Sequence, residues 1–164
     1  MKVKGLREFI KKLEEAEKNL SDEMQLWLDA SGMEFLDIIQ DEIIRTETVD
    51  TRRLLNSFDK GDSENVWNIS KGGLSLEIGT NVDYASYVND GHNTVSLSSG
   101  KDRRWVPGYW QGDRFVYDPG ADTGMLLKQQ WVDGSYYWDN ALAIFEKMFS
   151  KSMERQLEKW LGQF

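Results

Sequence analysis

The sequence is organised around one stretch, Ile78-Gly79-Thr80-Asn81-Val82-Asp83-Tyr84-Ala85-Ser86-Tyr87-Val88-Asn89-Asp90-Gly91-His92. Just before and at its start, apolar Leu74, Leu76 and Ile78 alternate with polar residues, which predicts a strand. After a turn, Tyr84, Tyr87 and Val88 recur three and four residues apart, so a short helix should turn one aromatic stripe inward. Gly91 is a natural left-handed cap for that helix. We therefore predict a strand that runs directly into a short helix.

A second motif lies upstream, Val49-Asp50-Thr51-Arg52-Arg53-Leu54-Leu55-Asn56-Ser57-Phe58. Together the two motifs, within residues 45–92, resemble the signature of a family of small phage tail-component proteins of the tail-completion, head–tail joining or neck type. The residues that carry the resemblance are Asp50, Thr51, Leu54, Ser57, Gly79, Thr80, Asn81, Tyr84, Ala85, Tyr87, Val88 and Gly91. Arg52 departs from the motif, where glycine is usual, and so does Ser86, where proline is common. The resemblance implies a structural role for these residues, with Tyr84 and Tyr87 pinning the short helix against the sheet.

The same resemblance implies a structural virion protein of a tailed phage or prophage, not an enzyme. Such a protein is expected to be made in the bacterial host cytoplasm and to act in the virion, in tail completion or head–tail joining. Its expected partners are copies of itself in a ring, a hexamer being one size it could take, and other phage neck and tail proteins. No cofactor and no metal are expected.

Composition excludes several other classes. The chain has 164 residues, 40% of them hydrophobic, which fits a single domain over residues 1–164. It contains no cysteine and one histidine, so thiol catalysis, disulfides and multi-histidine metal centres are excluded. The net charge of −8 argues against specific nucleic-acid binding and would suit a channel wall that repels DNA. No apolar run approaches the roughly 20 residues of a membrane span, and the start lacks a signal peptide, so a cytoplasmic product is expected.

Periodicity predicts helices at about residues 4–19, 22–47, 51–58 and 139–162. Asn19 or Ser21 would cap the second helix, and Gly32 would kink it. Strands are predicted at residues 66–69 and 74–78, joined at Lys71-Gly72-Gly73, and on either side of Gln111-Gly112-Asp113. This order predicts an α+β fold in which a small antiparallel sheet packs against long N- and C-terminal helices.

Catalytic signals are weak. His92 with Asp90 could form a general base, and the nearby acids Glu77, Asp83 and Asp90 could form a carboxylate site. No nucleophilic serine context and no second histidine accompany them, so an exposed histidine and solvated acids are the simpler interpretation. A solvated helix face is likewise preferred to an anion-binding arm for the basic cluster Lys2, Lys4, Arg7, Lys11 and Lys12.

The densest functional signal is an aromatic hairpin, with five rings within 13 residues: Trp105, Tyr109, Trp110, Phe115 and Tyr117. Because strand residues alternate, these rings should divide between two faces and leave some exposed. Exposed rings anchor protein interfaces or stack on sugars and bases, and Arg103, Arg104 and Arg114 could assist. The other interpretation is that the rings fill a small core.

A head-to-tail ring needs two different patches on each subunit. The hairpin, with the loop at residues 96–100, is the candidate for one patch. The exposed face of the C-terminal helix, or the basic N-terminal helix, is the candidate for the other. Two further functions stay open: a carbohydrate-binding module that uses the aromatic hairpin, and a carboxylate-dependent hydrolase or nuclease. The latter requires two acids within about 10 Å in a pocket.

Overall fold

The computed structural model describes residues 6–48, 52–70 and 75–162. The chain divides into two compact units: described residues up to Ala85 and from Tyr136 onward form the helical unit, and residues 86–135 form the sheet unit. Helices and short antiparallel strands occur together, so the predicted α+β class is confirmed. None of the described helices combines the length and apolar character of a membrane span. Five predicted features lie outside the described residues: Lys2, Lys4, Asp50, Thr51, and the turn Lys71-Gly72-Gly73 with Leu74.

The helical unit is built on α1, a helix of 40 residues from Leu6 to Arg45. The prediction of two helices separated near Asn19 or Ser21 is therefore wrong, because α1 continues through both positions. Asparagine and serine cost only about 0.5 kcal/mol in a helix interior relative to alanine. The surrounding glutamate, lysine and leucine residues favour helix, so a weak capping preference does not interrupt it.

The second long helix, α4 (Tyr137–Leu161), packs antiparallel to α1 and confirms the predicted C-terminal helix. The ring of Phe35 lies 4.8 Å from that of Phe145, and Trp27 Nε1 donates a hydrogen bond of 2.9 Å to Ser152 Oγ. Pairs at these sequence positions require the two helices to run in opposite directions. The α1 residues most deeply buried in this unit are Leu36, Ile39 and Ile43.

A two-stranded antiparallel sheet of β1 (Asn65–Ile69) and β2 (Leu76–Thr80) packs against α1 at Gly32. Helix α1 continues through Gly32, where the sequence predicts a kink. A Cβ on Gly32 would lie 2.4 Å from the Leu76 side chain and 2.5 Å from the Trp67 ring. Glycine is therefore required for close approach of the sheet to the helix.

The sheet unit contains the other strands, which form two small sheets instead of continuing the first one. Helix α3 (Ala85–Asp90) leads into β3 (Gly91–Asn93), which pairs antiparallel with β7 (Trp131–Asp133). The remaining sheet has the order β5-β4-β6, from β4 (Arg103–Gln111), β5 (Arg114–Tyr117) and β6 (Gly124–Lys128). In place of the predicted single sheet, the described residues thus form three separate sheets.

Candidate assembly interface

The aromatic hairpin is part of the β5-β4-β6 sheet. Strand β5 pairs with the C-terminal half of β4, and β6 pairs with the N-terminal half on the other edge. The two strands predicted around Gln111-Gly112-Asp113 are therefore confirmed. Strand β6 was not predicted, although its apolar run Met125-Leu126-Leu127 was a usable signal.

The five rings divide between the two faces of this sheet, as alternation requires. One face carries Trp105, Tyr109 and Leu126, which are 55%, 48% and 52% exposed. The other carries Trp110 and Tyr117, which are 61% and 64% exposed. Phe115 is half-buried and lies edge-to-face against Trp110, with 5.4 Å between ring centroids. Four of the five rings are thus exposed, and we call this two-sided surface the aromatic sheet.

Two glycines without a side chain let these aromatic rings contact the backbone directly. Gly108 has φ 153°, and a Cβ there would meet the Val116 carbonyl oxygen at 2.2 Å and the Phe115 ring at 2.6 Å. A Cβ on Gly124 would lie 2.7 Å from the Trp105 ring. The rings therefore rest on bare backbone, which holds them in place although their outer sides are exposed. The sequence did not single out either glycine.

Cationic side chains lie at the start of β4. Arg103 is directly opposite Lys128 on β6, and like charges in that position destabilise a sheet. The Arg103 side chain is 51% exposed, and its Nε lies 3.5 Å from the Asp102 carboxylate, which offsets part of the repulsion. Arg104 is also exposed. The end of the aromatic sheet is therefore positively charged.

A cavity of about 600 Å³ opens in the sheet unit, lined among others by Tyr87, His92, Arg104, Leu127 and Trp131. The His92 ring lies 5.8 Å from that of Tyr87, and its Nδ1 is 3.4 Å from the Tyr87 carbonyl oxygen. The cavity offers rings and one arginine, but the residues at its wall do not form a nucleophile–base pair. In the described ranges, no group of three or more histidine, cysteine or acidic residues could hold a metal ion.

The acids proposed for a carboxylate site each have their own partner. Asp90 accepts a hydrogen bond of 2.6 Å from Asn89 Nδ2, so it is not engaged with His92. Glu77 accepts one of 3.2 Å from Asn68 Nδ2, and Asp83 accepts one of 3.3 Å from Arg53. These contacts stabilise turns and strand pairs, which is the simpler role expected of them.

The two sequence motifs meet in the helical unit. Leu54, in the short helix α2 (Arg53–Asn56), and Ser57 after it are buried. Thr80 Oγ1 donates a hydrogen bond of 2.8 Å to Ser57 Oγ, which itself donates to the Leu54 carbonyl oxygen at 2.7 Å. Thr80 Oγ1 also accepts from the Val82 amide at 3.1 Å. One hydroxyl pair thus joins the upstream motif to the end of β2.

Arg53 adds a second link between the motifs. Its guanidinium bonds Glu64 at 2.7 Å and Asp83 at 3.3 Å, and lies 5.7 Å from the centroid of the Tyr84 ring. The hydrogen bond to Glu64 and the charges of both acids raise the pKa of Arg53 above its ordinary value. Three other motif residues, Gly79, Asn81 and Ala85, also lie in the helical unit. The Asn81 amide donates a hydrogen bond to the Glu64 carbonyl oxygen, and the Ala85 amide donates one to the Val82 carbonyl oxygen.

The inward aromatic stripe is formed only in part. Tyr84 and Val88 are half-buried, but Tyr87 is 58% exposed, so the prediction that Tyr87 packs inward is wrong. The buried positions of α3 are instead Ala85 and Asn89. Gly91 has φ 84° and ends α3 in the left-handed conformation, as predicted. Helical spacing placed Tyr84 and Tyr87 near one another but could not tell which side would be covered.

Comparisons with known proteins agree with these motifs. Residues 7–91, just over half of the chain, match the family model described as "Bacteriophage HK97-gp10, putative tail-component". The chain is 60% identical to protein YqbI of Bacillus subtilis (strain 168) over 163 residues, which is 98% of each chain. It is 50% identical over 162 residues, again 98% of each chain, to the phage-like element PBSX protein XkdI of the same organism. No solved structure matches it.

The matched region contains the Ser57–Thr80 hydroxyl pair, the Arg53 ion pairs and the strand that runs into α3. The match and this geometry together show that the chain belongs to the HK97-gp10-like family of phage tail components.

Proposed function

We propose that this protein acts in tail completion or head–tail joining of a tailed phage or prophage particle, as a ring of identical subunits that contacts neck and tail proteins. Its contribution is assembly, not catalysis. The observation that carries the proposal is the aromatic sheet, whose large side chains are exposed on both faces. The family of phage tail components supports a structural role in the virion.

Covering the aromatic sheet would contribute a substantial part of the free energy of assembly. Aromatic side chains each bury about 150–250 Å², so four half-exposed rings offer on the order of 400 Å². At about 25 cal/mol per Å², covering them would contribute roughly 10 kcal/mol before the costs of association. Those costs are about 4–15 kcal/mol. The aromatic sheet therefore stabilises a contact only when the rest of an interface is also formed, which suits a protein that docks on a partly built particle.

The charge of the chain fits a position around a DNA channel. A net charge of −8 repels phosphate, so DNA would pass a ring of such subunits without binding to its wall. The proposal therefore includes no specific nucleic-acid binding.

Electron microscopy of induced particles tests the role. The double substitution Trp105→Ser and Trp110→Ser removes one aromatic side chain from each face of the aromatic sheet. We expect this variant to give separate heads and tails or unfinished tails. Trp131→Ser is the matched control, because Trp131 is as exposed as Trp105 but lies on β7, at the cavity. The control should give complete particles. Normal joined particles from a strain that lacks the whole gene would refute the proposal.

A carbohydrate-binding module is the second candidate, and the cavity with Tyr87, Trp131 and Arg104 is the observation that favours it. Rings stack on sugars, and an arginine can bond their hydroxyls. In that case the purified protein would bind a glycan array, and Trp131→Ser would abolish the binding. Absence of glycan binding together with the particle defect described above would favour assembly.

A further inference from the structure

The outer side of α1 carries an apolar and acidic face. Leu26 and Met33 are 72% and 39% exposed, and lie on the side of the helix opposite the buried residues Phe35 and Ile39. The carboxylates of Asp22 and Asp37 are exposed on the same side, because these four positions recur at multiples of the helical turn. We call Asp22, Leu26, Met33 and Asp37 the acidic face.

This face contains a depression. A cavity of about 470 Å³ is lined by Asp22, Gln25, Leu26, Asp29 and Ile69. One of its carboxylates, Asp29, is bonded to Lys60 at 2.7 Å. Asp22 makes no ion pair within the part of the chain that the structure describes. A cavity with an apolar wall and an unpaired carboxylate at its edge suits a long basic side chain, whose stem is apolar and whose end is charged.

The outer side of α4 carries the complementary chemistry. Ile144 and Met148 are each 40% exposed, and Lys147, Lys151 and Arg155 are exposed on the same side. None of these three basic residues makes an ion pair among the described residues. We call Ile144, Lys147, Met148, Lys151 and Arg155 the basic face; Glu158 is also exposed on this side, and the three basic residues leave it net positive. Helix α4 packs on α1 through other residues, Phe145 and Phe149.

The two faces cannot meet within one chain. Phe35 and Trp27 of α1 contact α4, so the side of α1 that bears Leu26 and Met33 points away from it. The basic face likewise lies away from the contact with α1. One chain thus presents two unpaired helix faces of opposite charge, each with two exposed apolar side chains.

We propose that the acidic face of one copy packs against the basic face of a second copy, with Lys151 or Arg155 entering the depression beside Leu26. A second copy is the occupant because its basic face supplies the complementary charge and a matching pair of exposed apolar residues. The contact joins two different patches, so it repeats from copy to copy and forms a ring when the rotation between copies closes. This inference rests on the proposed ring and specifies its subunit contact, leaving the aromatic sheet for neck and tail partners.

The positions of residues along the common axis of α1 and α4, here called their heights, define the contact further. Phe35 is level with Phe145, and Trp27 with Ser152. For a ring axis along the helices, rotation preserves height, so Met33 of one copy lies level with residues 144–148 of the next. By the same relation, Asp22 lies level with residues 157–158, within one helical turn of Arg155. Apolar residues thus meet apolar ones, and the Arg155 guanidinium lies within one helical turn of the Asp22 carboxylate.

Charge reversal tests the contact in the full chain. We expect the wild type to form oligomers in sedimentation velocity runs, and to dissociate as salt rises, because exposed charges are screened. Asp22→Lys with Asp37→Lys, or Lys151→Glu with Arg155→Glu, should each weaken self-association by roughly 10-fold or more. The two variants mixed together, or all four changes in one chain, should restore it. The matched control is Asp113→Lys with Asp122→Lys, at two exposed acids of the sheet unit, which should assemble like the wild type.

Cysteine cross-linking identifies the contact directly, since the natural chain has no cysteine. A mixture of Met33→Cys and Met148→Cys chains should give disulfide-linked pairs of one chain of each kind, and a chain with both changes should give a ladder. Circular dichroism should show unchanged folding, because both side chains are exposed on helices.

The outcomes separate this inference from the ring itself. If the wild type assembles, but the charge-reversed variants assemble equally well and no mixed disulfide forms, the proposed contact between the acidic and basic faces is wrong. The proposal that the subunits form a ring is then unaffected. If the wild type remains monomeric at every concentration and no cross-link forms, both are wrong. Dimers formed by Met33→Cys chains alone, in place of mixed pairs, would show a two-fold contact and also overturn the inference.

Discussion

Arg52 has a left-handed backbone, with φ 64° and ψ −2°, at the position where the family motif usually has glycine. Its side chain is exposed and makes no capping hydrogen bond to α2. Replacing it with glycine therefore removes backbone strain without removing a described contact. The carbonyl of residue 52 can still accept the 2.8 Å hydrogen bond from the Asn56 amide.

The size of the effect follows from two opposing terms. A side chain in the left-handed region costs about 1–2 kcal/mol. Glycine has greater freedom in the unfolded chain, which costs about 0.5–1 kcal/mol. The difference predicts that Arg52→Gly raises the free energy of unfolding by about 0.5–1 kcal/mol. For a chain of this length that is roughly 2 °C in Tm.

Urea unfolding followed by circular dichroism at a helix wavelength measures this change, at one protein concentration so that assembly contributes equally. Arg52→Ala is the control, because alanine keeps the strained conformation and also lacks the arginine side chain. The free energy of unfolding of Arg52→Ala should be close to that of the wild type. If Arg52→Gly is no more stable than Arg52→Ala, the backbone strain argument is refuted.

Three further substitutions test other parts of the structure. Gly108→Ala would place a Cβ 2.2 Å from a carbonyl oxygen of the paired strand, so hydrogen-exchange protection of β4 and β5 should fall. Gly112→Ala is the control: a Cβ there has no atom within 4 Å, so the free energy of unfolding should fall by only about 1 kcal/mol. The hydrogen bond from Arg45 holds the pKa of buried Glu42 below its ordinary value of 4.5, so its stabilising contribution is present above that pH and is lost as pH falls through the lowered pKa. Glu42→Gln should therefore cost about 1–3 kcal/mol at pH 7 and flatten the acid limb of a stability–pH curve. Gly32→Ala should push the β1–β2 sheet away from α1 and lower the free energy of unfolding by about 1–3 kcal/mol, measured by urea unfolding. Because Trp67 contacts Gly32, the tryptophan fluorescence of the folded protein should also shift.

Local patterns predicted several elements well. Alternation identified the strand that becomes β2, helical spacing identified α3, and Gly91 was recognised as its cap. The hairpin turn around Gly112 was predicted from its flanking strands. Each of these signals is contained within a few neighbouring residues, so it does not depend on what the rest of the chain contributes.

Signals that required distant partners were missed. The close packing at Gly32 was not predicted, because its contact with Trp67 is made across 35 positions of sequence. Strand β6 has a short apolar run in the sequence, but its pairing with β4 brings together residues about 20 positions apart. The opposite chemistry of the outer faces of α1 and α4 was also not recognised, because a helix has an outer side only once its inner side is covered.

The sequence by itself identified the long C-terminal helix, β1, β2, α3 and the β4–β5 hairpin, excluded thiol and multi-histidine chemistry, and carried the two motifs of the family. The tertiary structure alone decided which faces stay exposed: both sides of the aromatic sheet, Tyr87, and the acidic and basic faces of the long helices. The physical reason is that periodicity gives each element distinct sides, whereas burial depends on contacts between residues far apart in the chain. Assembly uses the sides that those contacts leave uncovered.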